Sequence, residues 1–326
     1  MLSGGVCAMK GKKWWKIAIV IITILLIIDI VASFYFYNLA IKRGPKDFLQ
    51  GNADLEVSAD AMEVFMEGDW RTWTSDQDFE EWELTSYDGL TLKGYYLAAE
   101  EPTDKTVILA HGYLGNASDM GLYGQYYHET LGYNIFMADA RGHGDSGGDY
   151  IGFGWDDRLD YVDWINRVID ELGADTEIVL HGVSMGAATV LMASGEDLPK
   201  NVKAIVADSP YTSVYDMFAY QMNRMYHLPD IPFLPSTSLV TKIRAGYSLT
   251  EASALDQVKK AETPILYIHG EADTFVPTDM SLELYENTKS EAELMTIPDA
   301  GHGEGFVTAK NIYIDKLNRF LNKYVE

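Results

Sequence analysis

The sequence predicts an α/β fold, built around a mostly parallel, doubly wound sheet with helices on both faces. The first observation is that six short apolar runs alternate with helical patterns over residues 106–298. Strands that are apolar along their whole length are typical of parallel sheets, because helices cover both faces of such a sheet. The second observation is a hairpin pattern before these runs, and the third is a serine between two glycines directly after one of them. The six runs are TVILAH at 106–111, YNIFMA at 133–138, EIVLHG at 177–182, AIVADS at 204–209, PILYIHG at 264–270 and ELMTIP at 293–298.

The first element along the chain is a long apolar segment. Residues 17–41 are apolar apart from Asp29, Asn38 and a few small residues, and four lysines precede them. About 20 apolar residues in a helix span the hydrocarbon core of a bilayer, and basic residues before the span favour a cytoplasmic N-terminus. We therefore predict a cytoplasmic stretch at 1–16 and a transmembrane signal anchor at 17–41, which makes the membrane a partner and places the rest of the chain outside the cytoplasm.

A cleaved signal peptide is the alternative interpretation of the same segment. Its basic start, its apolar run and the small residues Val31, Ala32 and Ser33 fit such a peptide. Asp29 also favours cleavage, since a carboxylate at the bilayer centre costs about 2.5–3.5 kcal/mol. The aromatic stretch at 34–37 favours retention, because aromatic side chains suit the membrane interface. Retention gives a membrane-anchored domain, and cleavage gives a secreted one.

Composition and charge exclude several classes of function. The chain has 25 Lys and Arg against 49 Asp and Glu, a formal net charge of −24, so its surface repels the phosphate backbone of nucleic acids. Cys7 is the only cysteine, which excludes an internal disulfide, a cysteine-rich zinc site and a Cys-X-X-Cys redox pair. The sequence carries no nucleotide-binding fingerprint and no metal-ligand spacing. We predict no nucleic-acid partner, no metal and no cofactor.

A polar, acidic juxtamembrane segment at 42–81 follows the apolar run. Its pattern predicts one helix near 59–73, whose two tryptophans would be costly to expose to water. We therefore expect the segment to pack on the domain that follows. That domain begins at Trp82, where WELTSYDGLTLKGYYLA has two strand-type runs around a turn, and it spans 82–326.

Two further elements fill this domain. The clearest helix pattern covers Asp156–Leu172, with apolar residues on one face and acidic residues in the first turn. Residues 211–255 instead interrupt the alternation, since this long stretch is rich in Tyr, Met, Pro and Phe and starts just after a strand. We predict that they form a lid of short helices above the carboxyl edge of the sheet, with additional core as the alternative.

A serine lies between two glycines at 182–186, in the sequence Gly-Val-Ser-Met-Gly. Three fixed positions in five residues are weak evidence on their own. The context strengthens it, because a predicted strand precedes Ser184 and the helical run AATVLMAS follows Gly186. A sharp strand-to-helix turn raises such a serine above the sheet edge, and the N–H groups of the new helix point at it. We predict that Ser184 is a nucleophile; a serine in an ordinary glycine-rich turn is the alternative.

A nucleophilic serine needs a base, and the base needs a carboxylate that orients it. His302 follows the last predicted strand, in a loop where flanking glycines let the imidazole approach the sheet edge. Asp273 follows the preceding strand and is the predicted orienting carboxylate, with Asp208 at an earlier strand end as its rival. The order Ser184, Asp273, His302 is the one that a nucleophile on this kind of turn requires.

The oxyanion formed by such a serine needs backbone N–H donors. Met185, directly after the serine, supplies one of them, and the loop HGYLGN at 111–116 after the third strand supplies the other, with Tyr113 as the predicted donor. His111 lies in the same loop, and we assign it to fixing the loop instead of to catalysis.

The stretch DARGHGDSGG at 139–148 superficially suggests a phosphate cradle. It lacks both glycine-rich nucleotide-binding patterns. Its Arg141, His143 and Asp145 are therefore expected to hold the loop itself.

Seven motifs between Trp82 and the C-terminus resemble the α/β-hydrolase superfamily, most closely the serine aminopeptidase-like (S33-type) hydrolases, which include membrane-anchored members from Gram-positive bacteria. The motifs, all in the order of the superfamily, are SYDGLTLKGYYL, HGYLGN, DARGHGDSGG, HGVSMGA, DSPYTS, HGEADTFVP and AGHGEGF. The resemblance implies an α/β-hydrolase fold with a cap near 211–255, a triad of Ser184, Asp273 and His302, an oxyanion hole at Tyr113 and Met185, and no cofactor. Ser184 occupies the turn position at which the dehalogenase and epoxide-hydrolase branches of the superfamily have aspartate, so the resemblance does not extend to those branches.

These observations predict a serine hydrolase that acts on a small acyl substrate through an acyl-enzyme. The apolar, aromatic lid favours a carboxylic ester with a hydrophobic part, so a carboxylesterase is the first hypothesis. A peptidase of the aminopeptidase type is the second, and a thioesterase or acyltransferase at the membrane surface is the third. A non-catalytic, anchored binding protein is a remote alternative, since a decayed site would be expected to lose part of the triad.

Overall fold

The structure, a computed structural model, describes residues 6–46 and 59–325. Residues 1–5, 47–58 and 326, which include parts of the predicted cytoplasmic and juxtamembrane segments, lie outside the described residues. The strands are β1 Glu80–Thr85, β2 Thr91–Leu97, β3 Lys105–Ala110, β4 Asn134–Ala138, β5 Glu177–Val183, β6 Val202–Asp208, β7 Ile265–Gly270 and β8 Ala292–Ile297. Each of the six apolar runs predicted as a strand is therefore a strand, with ends that differ by one or two residues.

These strands form one sheet in the order β1-β2-β4-β3-β5-β6-β7-β8. The predicted hairpin, β1 and β2, is antiparallel, and β2 also pairs antiparallel with β4. The other pairs are parallel. Ala110 pairs with Gly182, and Val183 pairs with Asp208, so the carboxyl ends of β3, β5 and β6 lie side by side. The loops that follow these strands meet at one edge of the sheet.

Alternate residues of each strand point to opposite sides of the sheet, so these apolar strands present two apolar faces. Helices cover both of them. Ile108 and Leu180 pack in one core with helices that include α5, α6 and α9, and Val107 and Val179 pack in a second core with α3, α4 and α12. The helices are α1 Val6–Phe36, α2 Ala59–Glu67, α3 Asp69–Asp76, α4 Gly121–Gln125, α5 Asp157–Leu172, α6 Met185–Ala193, α7 Val214–Tyr226, α8 Phe233–Ala245, α9 Ala254–Val258, α10 Thr278–Asn287, α11 Gly305–Thr308 and α12 Lys310–Tyr324.

The single helix expected near 59–73 is wrong in detail, because two helices, α2 and α3, occupy this region. Gly68 separates them with an extended backbone (φ −62°, ψ 144°), and a Cβ at this position would lie 2.4 Å from the Val64 carbonyl oxygen. The indole of Trp70 donates a hydrogen bond to that same oxygen at 2.7 Å. Trp70 is buried against the sheet, so this part of the juxtamembrane segment packs on the domain.

The apolar N-terminal segment is helical, as α1 continues through a π-helical turn at Tyr37–Ile41. Within the described part of the chain, Trp14–Ile41 is the one helix long and apolar enough to cross a membrane. An 18-residue window of it has a mean hydropathy of 3.0 and is almost entirely exposed. Residues 211–255 form α7, α8 and the start of α9 beyond the carboxyl end of β6. Of these helices, α8 packs along α1.

Candidate active site

Ser184 lies on a sharp turn between β5 and α6. Its backbone has φ 56° and ψ −115°, and its N–H donates to the carbonyl oxygen of Asp208 at 2.8 Å. The flanking glycines are required by close approach. A Cβ at Gly182 would lie 2.2 Å from the Gly186 carbonyl oxygen, and one at Gly186 would lie 2.0 Å from the Ala110 carbonyl oxygen. The two glycines therefore let β5, the turn and the end of β3 pack tightly enough to raise the serine side chain at the sheet edge.

The structure brings Ser184, His302 and Asp273 together, although 118 residues separate the first two along the chain. The Ser184 hydroxyl donates to Nε2 of His302 at 2.8 Å, and Nδ1 of His302 donates to Oδ2 of Asp273 at 2.7 Å. This network assigns the proton of the neutral imidazole to Nδ1. The arrangement can withdraw a proton from the hydroxyl and hold the resulting imidazolium against a carboxylate.

Asp273 is buried and accepts several hydrogen bonds. The backbone N–H groups of Phe275 and Val276 donate to its Oδ1 at 2.9 and 2.8 Å. Burial raises the pKa of Asp273. The charge of His302 and the hydrogen bonds from His269 and His302 lower it by a larger amount, so the pKa lies well below its usual value. The carboxylate is therefore ionised wherever the protein is folded at ordinary pH.

His269 is a site residue that the sequence analysis did not single out. Its Nε2–H lies 3.0 Å from Oδ2 of Asp273 and 2.8 Å from the carbonyl oxygen of Val276, and its Nδ1 accepts from the hydroxyl of Ser281 at 2.6 Å. His269 thus fixes the same carboxylate oxygen that faces His302. Its position could have indicated this role, because His269 lies in the apolar run at 264–270, four residues before Asp273.

Asp208, the rival carboxylate, does not contact His302 through any hydrogen bond in the described part of the chain. Its carboxylate accepts from Ser209 at 3.0 Å and from the hydroxyl of Tyr313 at 3.0 Å. Burial raises the pKa of Asp208, and these two donors partly offset that effect. Asp208 belongs to a buried network below the sheet edge, on which the serine turn rests.

The two predicted oxyanion donors lie next to the serine. Tyr113 and Met185 line the same pocket as Ser184, and a Cβ at Gly112 would lie 3.6 Å from the Cβ of Ser184. The Tyr113 hydroxyl donates to the carbonyl oxygen of Ala40 at 2.7 Å, so the side chain is held away from the reacting atoms. The group of Tyr113 that can serve as an oxyanion donor is its backbone N–H.

Two histidines fix the loop that carries Tyr113. Nε2 of His111 accepts from the N–H of Ala140 at 3.0 Å, and Nε2 of His143 accepts from the N–H of Leu114 at 3.2 Å. Burial lowers the pKa of His111, and burial together with the neighbouring His111 lowers the pKa of His143 to about 3. Both imidazoles are neutral near pH 7 and act as acceptors for backbone N–H groups, in agreement with the loop-fixing role expected of them.

Arg141 and Asp145 also hold the loop at 139–148. The buried Arg141 guanidinium donates to both carboxylate oxygens of Asp160 at 2.7 Å and to Asp88 at 2.9 Å. The N–H of Asp145 donates to Asp139 at 2.8 Å, and Asp139 also accepts from the N–H of Ala117 at 2.7 Å. These contacts join two loops at the sheet edge.

A pocket lies above Ser184 and is lined almost entirely by apolar and aromatic side chains. Helix α7 contributes Met217, Phe218 and Met222 among others, and its Gln221 donates to the carbonyl oxygen of Phe275. The lining residues carry no carboxylate, ammonium or guanidinium group. Within the described residues, no group of three His, Cys, Asp or Glu side chains could hold a metal ion.

The pocket also has a wall that the sequence analysis did not predict. Phe36, Leu39 and Ala40, from the end of α1 and the turn after it, line the pocket together with the lid and Ser184. The hydrophobic periodicity of the sequence does not predict this contact, because the contact depends on how the chain after α1 passes over the sheet edge.

Comparison with known proteins gives matches over most of the chain. The profile of the prolyl oligopeptidase family matches residues 122–326, which is more than half of the chain. The uncharacterized protein YqkD of Bacillus subtilis (strain 168) is 30% identical over 255 residues, covering 76% of this chain and 82% of that protein.

Solved structures show the same fold. The Pyrococcus furiosus esterase Pf2001 superposes with a TM-score of 0.62 at 26% identity, over 78% of this chain and 96% of that one. The alpha/beta hydrolase GrgF from Penicillium sp. sh18 superposes with a TM-score of 0.59 at 20% identity, over 76% and 99% of the two chains. The eight-stranded, mostly parallel sheet is thus that of an α/β-hydrolase fold, which confirms the predicted fold class.

Proposed function

This chain belongs to the α/β-hydrolase superfamily and matches its prolyl oligopeptidase family, and we propose that it is a serine hydrolase that cleaves carboxylic esters of apolar acyl groups. One observation carries the proposal. The Ser184 hydroxyl lies 2.8 Å from Nε2 of His302, whose Nδ1 lies 2.7 Å from Asp273, at the floor of an apolar pocket. The narrower serine aminopeptidase-like, Gram-positive group stays a prediction: the matching family model is that of the prolyl oligopeptidases, and Bacillus subtilis and Escherichia coli both have relatives at about 30% identity.

The proposed mechanism is hydrolytic acyl transfer. His302 removes the proton of Ser184 as the oxygen attacks the ester carbonyl, and the ionised Asp273 stabilises the imidazolium that forms. The N–H groups of Tyr113 and Met185 stabilise the oxyanion. His302 then protonates the leaving alcohol, which leaves an acyl-enzyme. Water, deprotonated by His302, attacks this intermediate and releases the carboxylic acid.

The composition of the pocket favours an ester over an aminoacyl amide. An aminopeptidase must bind the ammonium group of its substrate, and a buried ammonium needs a charged partner. The lining residues include no carboxylate that could supply one. The esterase activity named for Pf2001 agrees with this choice. A peptidase is the second candidate, and the name of the matching family favours it.

We further propose that α1 is retained as a transmembrane anchor, with the hydrolase domain outside the cytoplasm. The predicted cleavage site lies within the regular helix, where Ser33 is buried and donates to the Asp29 carbonyl oxygen at 2.7 Å. The Asp29 carboxylate, which would be costly alone in a bilayer, accepts a hydrogen bond from Ser236 of the lid at 2.5 Å. Both contacts support retention over cleavage.

Labelling with a fluorophosphonate probe tests the nucleophile in the full-length protein. Wild type should be labelled, and Ser184→Ala and His302→Ala should not. Ser194→Ala, which changes a buried serine at the end of α6, is the matched control and should be labelled like wild type. Losing a triad member lowers kcat by about 10⁴-fold or more in comparable enzymes. Labelling of Ser184→Ala at the wild-type level would refute the assignment.

Substrate assays then separate the two candidate activities. p-Nitrophenyl esters of increasing acyl length, aminoacyl amides and an acyl thioester would be compared at equal concentration. The proposal expects hydrolysis of esters with a preference for longer chains. A preference for the amides would establish the peptidase instead.

A further inference from the structure

The end of the anchor helix is built into the pocket above the nucleophile. Phe36, Leu39 and Ala40 line this pocket, and the Ala40 carbonyl oxygen accepts the hydroxyl of Tyr113, the proposed oxyanion-loop residue, at 2.7 Å. A helix that served only as a tether would have no reason to contact the site. Here it forms one wall of the pocket that receives the acyl group.

The anchor is also held rigidly against the hydrolase domain directly after it ends. The N–H of Ile151 donates to the Ile41 carbonyl oxygen at 2.8 Å, and Lys42 forms a β-bridge with Tyr150. The Arg43 guanidinium donates to the carbonyl oxygens of Gly144 and Ser146 at 2.8 and 2.7 Å. These contacts fix the distance between the anchor and the active site, so the site cannot move far from the membrane that holds α1.

The lid helix α8 lies along the same part of the anchor. The rings of Phe233 and Phe36 meet edge to face with centroids 6.4 Å apart, and Ser236 bonds Asp29 at 2.5 Å. The Arg244 guanidinium lies over the ring of Phe34, 5.7 Å from its centroid. The lid is therefore docked on α1 from Asp29 onward.

The length of α1 places this contact at the surface of the bilayer. A helix needs about 20 residues to span the hydrocarbon core, at about 1.5 Å per residue. Residues from Trp14 to Asp29 cover only about 22 Å of that distance. The span must extend beyond Asp29 into the part of α1 on which α8 is docked. It follows that α8 lies at the outer face of the same membrane.

The outward face of α8 carries exposed apolar side chains beside the basic residues Lys242 and Arg244. Leu239 and Ile243, four residues apart on one face of the helix, are 62% and 76% exposed, and Ile231 before the helix is 66% exposed. The opposite face, including Leu234 and Thr241, is buried in the domain. α8 packs along α1, whose own apolar side chains are exposed, Ile30 to 55%. A bilayer around α1 would therefore lie close to Leu239 and Ile243.

We propose that the pocket draws its substrate from this bilayer, and that the substrate is an uncharged ester lipid whose acyl chain enters between α1 and the lid. The inference rests on the proposed esterase function and names its substrate class. No cationic side chain lines the pocket to pair with a phosphate, and the net charge of −24 repels anionic headgroups.

The test uses full-length protein in vesicles of dioleoylphosphatidylcholine that contain dioleoylglycerol. Release of oleate from dioleoylglycerol is measured beside hydrolysis of soluble p-nitrophenyl acetate. Leu39→Trp narrows the pocket from the anchor side, and Ile30→Trp, on the lipid-facing side of the same helix, is its matched control. Each methylene excluded from an apolar site is worth about a factor of four, so excluding two lowers oleate release by about 16-fold. Acetate is too short to reach the narrowed part of the pocket, so its hydrolysis should fall much less than oleate release. Both activities of Ile30→Trp should stay near wild type.

A second pair of variants tests contact of the lid with the membrane. The double variant Leu239→Asp, Ile243→Asp should release oleate several-fold more slowly and hydrolyse acetate normally. Ile312→Asp, an equally exposed apolar position on α12, is the control and should change neither activity.

The proposal is overturned if both variant pairs leave the ratio of oleate release to acetate hydrolysis unchanged, or if phosphatidylcholine is cleaved as fast as dioleoylglycerol. A wild type that neither hydrolyses acetate nor reacts with the fluorophosphonate would instead refute the serine esterase function itself. The two failures are thereby distinguishable.

Discussion

The backbone of Ser184 is strained, and the strain can be measured by comparing two substitutions at that one position. With φ 56° and ψ −115°, this residue lies in a region that side chains with a Cβ rarely adopt. Such a residue costs about 1–3 kcal/mol, which glycine avoids. Ser184→Ala keeps the Cβ and Ser184→Gly removes it, while both remove the hydroxyl. Any difference in stability between the two variants therefore reports on the backbone.

Glycine carries an opposing effect, since it loses more conformational freedom on folding than alanine, at a cost of about 0.5–1 kcal/mol. The same pair of substitutions at Ser194 supplies this reference, because Ser194 is buried in an ordinary helical conformation with φ −60° and ψ −20°. At Ser194 the alanine variant should be the more stable one. At Ser184 the order should reverse. Subtracting the two differences leaves the strain of about 1–3 kcal/mol.

Thermal unfolding of the full-length protein in detergent measures all four variants. For a chain of this length, 1 kcal/mol shifts Tm by about 2 °C, so the combined difference should be about 2–6 °C. The four proteins are compared in one detergent at one pH, and activity plays no part in the measurement. If alanine is more stable than glycine at both positions by the same amount, the backbone of Ser184 is not strained.

Two further predictions concern buried polar groups. Asp273→Asn should lower kcat on p-nitrophenyl esters by about 10⁴-fold, because the amide favours the wrong tautomer of His302. Asp208→Asn should retain most of the activity. An equal loss in both variants would contradict the assignment of Asp273 alone as the orienting carboxylate. Burial lowers the pKa of His181 to about 3, so below pH 6.5 the unfolded chain binds a proton that the folded protein does not. Stability should therefore fall by about 1.4 kcal/mol per pH unit between about pH 6.5 and pH 3 on account of this residue. Guanidinium unfolding of wild type and His181→Gln between pH 4 and pH 7 measures the difference in slope, and parallel curves would contradict this account.

The elements of the domain could be predicted from sequence because each has a local physical signature. A run such as 177–182 is apolar throughout, since both faces of the sheet are covered, and the α5 region repeats its apolar residues at helical spacing. The site residues follow from the same logic. Ser184, Asp273 and His302 each come directly after a predicted strand, and parallel strands bring their carboxyl ends to one edge. Position in the chain is then enough to predict that the three side chains lie close together.

Other features have no such signature. The break at Gly68 depends on the packing of Trp70 against a carbonyl group, and His269 acquires its role only through a carboxylate whose orientation the β7 loop sets. Local periodicity carries no information on either contact. Single residues of this kind are decided by the geometry of the folded loop.

The sequence by itself determined that a long apolar helix precedes an α/β domain, and it predicted the serine turn and a helical segment at 211–255. It did not determine that these parts meet. The contact of Phe36 with the pocket, and of Asp29 with Ser236 across 207 residues, exists only because the chain after α1 is fixed to the loop at 139–151 and the lid folds back over the sheet edge. Contacts between segments far apart in the sequence depend on the conformations of all the loops between them. No local sequence pattern specifies those conformations together. The tertiary structure alone therefore decided that the end of the apolar N-terminal helix lines the pocket.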